Sequence, residues 1–330
     1  MQEAFLVILI QALVVVFVVL TGFAYATLWE RKLIGRFQAR YGPNRTGFYG
    51  YMQPLADVVK LMFKENMVPA GANRTLFSLA PMISVFAAVG ALSVIPFGGV
   101  HDWWGHTITL YGANLDIGVL FVFALGSLGF YGLILGGWAS GNKYSLLGAA
   151  RTAAQLVSYE VAMGLSIVGV VMISQTLSLV DIVNAQAGSV WYILYQPLGF
   201  VIFMIAGVAE CNRSPFDLGE ADSEIVAGYH TEYGSLKFAM FFLAEYVNVI
   251  IVSAMGATLF LGGPDGPFLP GFVWLVLKIL VLMFIFIWIR ATIPRLRYDR
   301  LMKFGWKVLL PLATINLLLT AIIVGLGFSN

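Results

Sequence analysis

Eight apolar runs dominate this sequence, near 4–28, 76–97, 115–137, 153–175, 191–210, 238–262, 272–290 and 307–328. About 20 apolar residues in a helix cross the hydrocarbon core of a bilayer, so runs of this length read as membrane spans. Only 11% of the residues are charged and 60% are hydrophobic, where a soluble domain carries about 25% charge. That shortage cannot cover a water-facing surface. It excludes a soluble globular protein and a disordered chain, and the single cysteine, Cys211, excludes a disulfide scaffold. The expected fold class is all-α: a polytopic integral membrane protein with about eight transmembrane helices. No basic residue precedes the first run, which is too long for the apolar core of a signal peptide and reads as a retained helix. No internal repeat is visible, which argues against the duplicated halves of many transporters. Residues 1–330 read as one transmembrane domain.

Charge placement sets the orientation. The stretch 29–75 carries eight Lys and Arg, 138–152 two, 211–237 two and 290–307 six, together 18 of the 19 basic residues. The termini and the loops 98–114, 176–190 and 263–271 carry none. By the positive-inside rule the loops 29–75, 138–152, 211–237 and 291–306 face the cytoplasm and both termini face away from it.

A basic cytoplasmic loop ordinarily only sets orientation and touches anionic lipid. The 29–75 loop is richer than that, mixing Glu30, Asp57 and Glu65 with its cations and carrying many turn formers. Pro54 opens an expected helix to about Asn66, in which Met52, Leu55, Val59, Met62 and Phe63 recur at helical spacing opposite Asp57, Lys60 and Lys64. Such an amphipathic helix lies in the interface plane, either as a plain anchor or as the lip of a lateral opening. The stretch 210–232 is the reverse, with Glu210, Asp217, Glu220, Asp222, Glu224 and Glu232 against Arg213. If 216–226 is helical, Asp217, Glu220 and Glu224 share one face. Crowded carboxylates raise one another's pKa and so hold protons nearer neutral pH; a solvated acidic face is the simpler reading.

Three charges fall inside the runs. Glu160 lies roughly 13 Å along a helix from Arg151, and Glu245 roughly 12 Å from Lys237, at similar depths. Lys278 is nearer mid-membrane, roughly 18 Å from Arg290. Ionisable groups there are costly and either pair statically or carry ions. Two readings stand: a fixed pair of Lys278 with Glu160 or Glu245, or a hydrated proton path from the acidic loop through Glu245 and Glu160 towards Lys278. One cysteine cannot ligate an iron–sulfur cluster. His101, His106 and His230 offer neither paired haem ligands nor a metal site, and no dinucleotide fingerprint follows a strand. The glycines 126, 129, 132, 136 and 137 suit close helix packing instead. The chain by itself carries no redox centre and no catalytic residue in the redox sense.

The segment 30–65, ERKLIGRFQARYGPNRTGFYGYMQPLADVVKLMFKE, closely resembles the first cytoplasmic loop of the H subunit, or subunit-1 homologue, of respiratory complex I. So do WASGNKYSLLGAARTAAQLVSYE (138–160), AECNRSPFDLGEADSEIVAGYHTEY (209–233), FFLAEY (241–246) and RATIPRLRYDRLMKFGWKVLLPL (290–312). Asp222 stands where the family usually has Glu, and Arg300 where it usually has Gln.

The resemblance implies a membrane subunit of proton-translocating NADH:quinone oxidoreductase that walls the quinone chamber, frames its entrance and couples quinone reduction to proton translocation. Quinone would be substrate at the interface. NADH, FMN and iron–sulfur clusters would belong to partner subunits, and no cofactor to this chain alone. The implied partners are the peripheral-arm subunits with the quinone site and terminal cluster, the small and antiporter-like membrane-arm subunits, and lipid, but no nucleic acid. By the same resemblance, Glu30, Arg31, Arg36, Asp57, Lys60, Arg290, Arg297, Tyr298 and Asp299 would lie at the chamber and subunit junction. Glu160, Glu210, Arg213, Asp217, Glu220, Asp222, Glu224, Tyr229, Glu232 and Glu245 would form the proton path, with Lys278 added from its depth. The implied location is a bacterial inner membrane rather than a mitochondrial one. Two alternatives are the equivalent subunit of a membrane-bound hydrogenase, from which the complete first-loop motif departs, and a stand-alone cation transporter.

Overall fold

In hydrocarbon the backbone has no hydrogen-bond partner but itself, so the apolar runs fold as helices. The structure is a computed structural model that describes residues 2–98, 100–103, 106–109, 112–188, 190–220 and 222–326. Its helices are α1 (Gln2–Phe37), α2 (Gln53–Phe63), α3 (Arg74–Leu92), α4 (Gly118–Ala139), α5 (Lys143–Ser174), α6 (Leu179–Gln186), α7 (Tyr192–Tyr195), α8 (Pro197–Glu210), α9 (Asp222–Ile225), α10 (Ser235–Phe260), α11 (Gly271–Thr292), α12 (Tyr298–Phe304) and α13 (Leu310–Gly325). A two-stranded antiparallel ribbon, β1 (Val100–Trp103) and β2 (His106–Thr109), joins α3 to α4, with Val100 opposite Thr109.

The fold is all-helical apart from that ribbon. Among the described residues, six helical stretches are long and apolar enough to cross a membrane: α3, α4, α5, α10, α11 and Tyr298–Gly325. The last is continuous because a π-turn at Gly305–Leu309 joins α12 to α13. Residues 327 and 328, at the end of the eighth run, lie outside the described residues.

Two of the other runs differ instructively from simple spans. The first run lies within the 36 residues of α1, about 54 Å long. That exceeds a bilayer core of ~30 Å, so Glu30, Arg31 and Arg36 sit on a helical extension rather than in a loop. The fifth run is two helices. Pro197 has no N–H to continue α7, and Gln196 breaks the backbone at φ −129°. α8 has 14 residues, about 21 Å. At the break, buried Gln196 accepts from Asn316 Nδ2 (2.8 Å) and donates to Thr320 Oγ1 (2.5 Å), both on α13. An amide in hydrocarbon needs such partners, and these pin the discontinuous helix to the last one.

α10 is the hub, touching α1, α2, α3, α8 and α11. The glycines of α4 let its neighbours close in. A Cβ on Gly132 would lie 2.1 Å from Ser84 Oγ and 2.7 Å from the Ala80 carbonyl oxygen of α3. At Gly126 the nearest such atom is Glu210 Oε1, 3.9 Å away. One glycine run therefore both seals one interface and leaves space at another. α2 buries only Pro54 and exposes Leu55, Val58, Val59, Met62 and Phe63, as a helix lying in the interface does.

Candidate functional site

The polar groups of this apolar chain gather in layers. In the outermost, Arg31 of α1 pairs with Asp57 of α2 at 2.7 Å, and Lys60 approaches the same carboxylate at 3.6 Å. Gln53 donates to Asp57 and accepts from Thr46, tying the loop to both helices. Lys32 donates to the Tyr49 carbonyl oxygen and lies over the Tyr51 ring, while Arg36 lies over the Tyr41 ring.

Beneath this layer sits a quartet of charges, three of them buried and the fourth, Arg290, at its exposed edge. Arg213, just past the end of α8, places Nε 2.6 Å from Glu245 of α10 and donates from Nη1 to both carboxylate oxygens of Glu30, at 3.1 and 3.2 Å. Arg290 of α11 also donates to Glu30. Arg213 and Glu30 side chains are 7% exposed and Glu245 10%. Two cations against two carboxylates balance the group, which is how the three buried charges are tolerated. Burial disfavours the charge on Arg213, but the carboxylates of Glu245 and Glu30 outweigh it and hold the guanidinium firmly protonated. Its guanidinium also stacks 4.1 Å over the Tyr246 ring.

The acidic loop is not a helix over 216–226. Among the described residues only α9, four residues long, is helical there, and 216–220 are non-helical, with a turn at 218–220. Gly228 explains part of the departure: it holds φ +59°, and a Cβ there would strike the Gly219 carbonyl oxygen at 1.5 Å. Of the three acids expected on one face, Glu224 consequently parts from Asp217 and Glu220. Glu224 pairs with Arg151 at 2.5 Å, and Glu232 accepts from Asn142 at 2.6 Å. Asp222 opens α9, and its side chain lies outside the described ones. Glu220 turns inward, with Tyr229 Oη 3.5 Å and His230 Nδ1 3.7 Å from its Oε1. Burial, then the charges of Glu245 and Asp217, raise Glu220 well above the usual carboxylate range. Burial, then Glu220, likewise raises Tyr229. The last cytoplasmic loop closes over this segment: Arg295 donates to the Asp217 carbonyl oxygen and Leu296 N–H to that of Pro215.

Three cavities follow inward. One of about 20 Å³ touches Glu30, Arg213, Tyr246 and Arg290. A second, of about 30 Å³, is lined by Glu245, Tyr229, Glu210 and Asn248. The third, of about 60 Å³, is lined by Glu210, Asn248 and Glu160, with room for about four waters. The second and third share Gly126, Gly129, Glu210 and Asn248. Glu160 of α5 accepts from Ser127 Oγ of α4 at 2.6 Å. Gln155, one turn earlier on α5, donates to the Ala209 carbonyl oxygen and to Asn212, fixing the end of α8 that carries Glu210.

Of the residues expected at the site, Glu30, Arg213, Glu220, Tyr229, Glu245, Arg290, Glu210 and Glu160 line or adjoin this series, and Asp217 lies close enough to act on Glu220. Arg31, Asp57 and Lys60 form the outer network, while Arg297 and Asp299 pair with each other at 2.9 Å, exposed, beside Tyr298 at the start of α12. Lys278 joins neither Glu160 nor Glu245. Its ammonium donates to the carbonyl oxygens of Leu261, Gly263 and Asp265 at 2.6, 2.8 and 2.6 Å and lies over the Trp191 ring. Three donors meet three acceptors, so the cation is satisfied at the C-terminal end of α10, where the helix dipole favours it. Sequence reasoning passed over Ser127, Gln155, Tyr246, Asn248 and Arg295. Asn248 alone had a usable signal, three residues after Glu245 on one helix face.

A family model described as NADH dehydrogenase matches residues 10–321. The chain is 53% identical over 309 residues to the H subunit of the NADH-quinone oxidoreductase of Thermomicrobium roseum, covering 91% of each chain. The chain belongs to the family of NADH-quinone oxidoreductase H subunits. It is also 53% identical to one such protein (number 1) of Geobacter metallireducens, over 92% of each chain. With another (number 2) of Syntrophobacter fumaroxidans it shares 52% identity, over 96% of this chain and 95% of that one. Members of the family are thus named as parts of a multi-subunit oxidoreductase, and this one is an integral membrane protein by its long apolar helices. Among the described residues no group of three His, Cys, Asp or Glu is placed to hold a metal ion.

Proposed function

We propose that this chain is the membrane subunit that walls the quinone chamber of a proton-translocating NADH:quinone oxidoreductase and passes the effect of quinone reduction into a proton path. The observation that carries this reading is a series of three small cavities, each with acidic side chains in its wall, running from the Glu30–Arg213–Arg290 cluster to Glu160. Arg213 lines the first cavity and contacts Glu245, which lines the second; Glu210 lines the second and third. The exposed apolar side of α2, riveted to α1 through Arg31 and Asp57, suits the lip over which a lipid-tailed quinone enters.

In this reading the peripheral-arm subunits bring NADH, FMN and the iron–sulfur clusters and supply the electrons and headgroup protons. The chain's own residues answer the charge change. A shift near Glu220 alters proton occupancy there and then at Glu245, Glu210 and Glu160, from which the antiporter-like subunits of the membrane arm are reached. Carboxylates roughly 5 Å apart at an effective dielectric of about 20 interact by about 3 kcal/mol, enough to move a proton equilibrium by two pH units. The excess of Lys and Arg in the loops supports a cytoplasmic Glu30 end with both termini opposite, in what we take to be a bacterial inner membrane.

The test is Glu160→Gln in the assembled complex, with NADH-driven proton uptake measured in inverted membrane vesicles. Proton uptake per NADH falls if the path runs through Glu160. A variant that assembles and pumps as the parent does refutes it. Photo-crosslinking with a quinone analogue tests the chamber separately, and labelling away from 22–66 and 210–232 counts against it.

A further inference from the structure

We propose that Asn248 is a positioning residue of the proton path, holding the water that joins the Glu245 cavity to the Glu160 cavity. The inference rests on the proton-path reading above. Asn248 lies on α10, three residues beyond Glu245, and lines both cavities. Asn248 is half-buried, and its carboxamide makes no hydrogen bond to any described residue. An amide has two donors and two acceptor positions, and leaving it unmatched within a membrane costs several kcal/mol. Glu210 repeats the pattern: it lines the same two cavities, and its Oε2 is buried without a hydrogen-bond partner among the described residues. Two unmatched polar groups from α8 and α10 thus meet where two cavities totalling about 90 Å³ share their walls. Water that fills such a space finds the two to four polar partners it requires.

The ionisable groups facing this junction are Glu210 from α8, Glu245 from α10, Glu160 from α5, and Tyr229 and Cys211 from the segment between α8 and α10. Asn248 adds none. Its amide orients a water by donating and accepting, yet neither gains nor loses a proton itself. Each hop breaks one O–H bond and forms the next, from Glu245 through the oriented water to Glu210 and on to Glu160. One proton is displaced in total, and the amide stays neutral.

The experiment compares Asn248→Leu, Asn248→Ser and Asn248→Asp with Glu160→Gln in the assembled complex in inverted membrane vesicles. It records quinone reduction, proton uptake, and NADH oxidation by a water-soluble acceptor. Loss of the water contact in Asn248→Leu is expected to lower quinone reduction and proton uptake about tenfold, while oxidation by the soluble acceptor is unchanged. Asn248→Ser, still able to hold water, stays within about twofold of the parent, and Asn248→Asp shifts the pH profile of proton uptake. Parent-like Asn248→Leu overturns the inference, as does Asn248→Ser equal to Asn248→Leu at the same subunit content, which indicates packing alone. If Glu160→Gln is impaired and Asn248→Leu is not, the assignment of Asn248 fails and the path survives; if neither is impaired, the path itself fails.

Discussion

Replacing Arg213 with Met tests whether the charged quartet is held by its balance of charge. The guanidinium contacts Glu245 and Glu30, and among the described residues Arg290 forms its ion pair with Glu30. Removing Arg213 therefore deletes two of three cation–carboxylate contacts and leaves Glu245 with only the more distant charge of Arg290. Each contact is worth about 4 kcal/mol at an effective dielectric of 20. The gross loss of about 8 kcal/mol is partly offset because a guanidinium no longer has to be desolvated. Breaking a buried pair on one side costs ~3–5 kcal/mol net. Adding Glu245→Gln removes the stranded charge, so the double variant regains a large part of that loss. The assay is thermal unfolding of the purified complex, followed by retention of this subunit, across parent, both single variants and the double variant. A parent-like melting temperature for Arg213→Met, or a double variant no better than it, refutes the reasoning.

Two further outcomes follow from the same geometry. Lys278→Met removes three carbonyl contacts at the end of α10 and is expected to cost about 2–4 kcal/mol in thermal stability; lost pumping in a fully assembled, equally stable variant contradicts that capping role. Glu220 is held above its ordinary value, so its protonated form stabilises the acidic loop; this contribution is complete below about pH 4 and is lost as pH rises through the raised value. Hydrogen exchange over 216–230 is expected to quicken with rising pH in the parent and to lose that part of its dependence in Glu220→Gln; an unchanged dependence counts against it.

Much of this was legible one residue at a time. Long uncharged runs dictate helices because hydrocarbon offers the backbone nothing else. The amphipathic repeat of α2 and the close packing of α4 through Gly132 likewise follow from local spacing. The acidic loop did not. Its helical spacing of Asp217, Glu220 and Glu224 gave way to turns, because Gly228 packs against the Gly219 carbonyl and the last loop captures the backbone at Pro215 and Asp217. Continuity of the fifth run failed for a similar reason: a polar pocket on α13 rewards a break at Gln196 that no count of apolar residues reveals.

Local sequence therefore determined which segments form apolar helices and which ionisable groups are too costly to be incidental. Tertiary structure decided their partners. Arg213 meets Glu30 across 183 positions and Arg290 meets Glu30 across 260, while Lys278, the natural mate for an intramembrane acid, spends its three hydrogen bonds on carbonyl oxygens. A buried charge takes the nearest group that satisfies it, and only the packed helices settle which group that is.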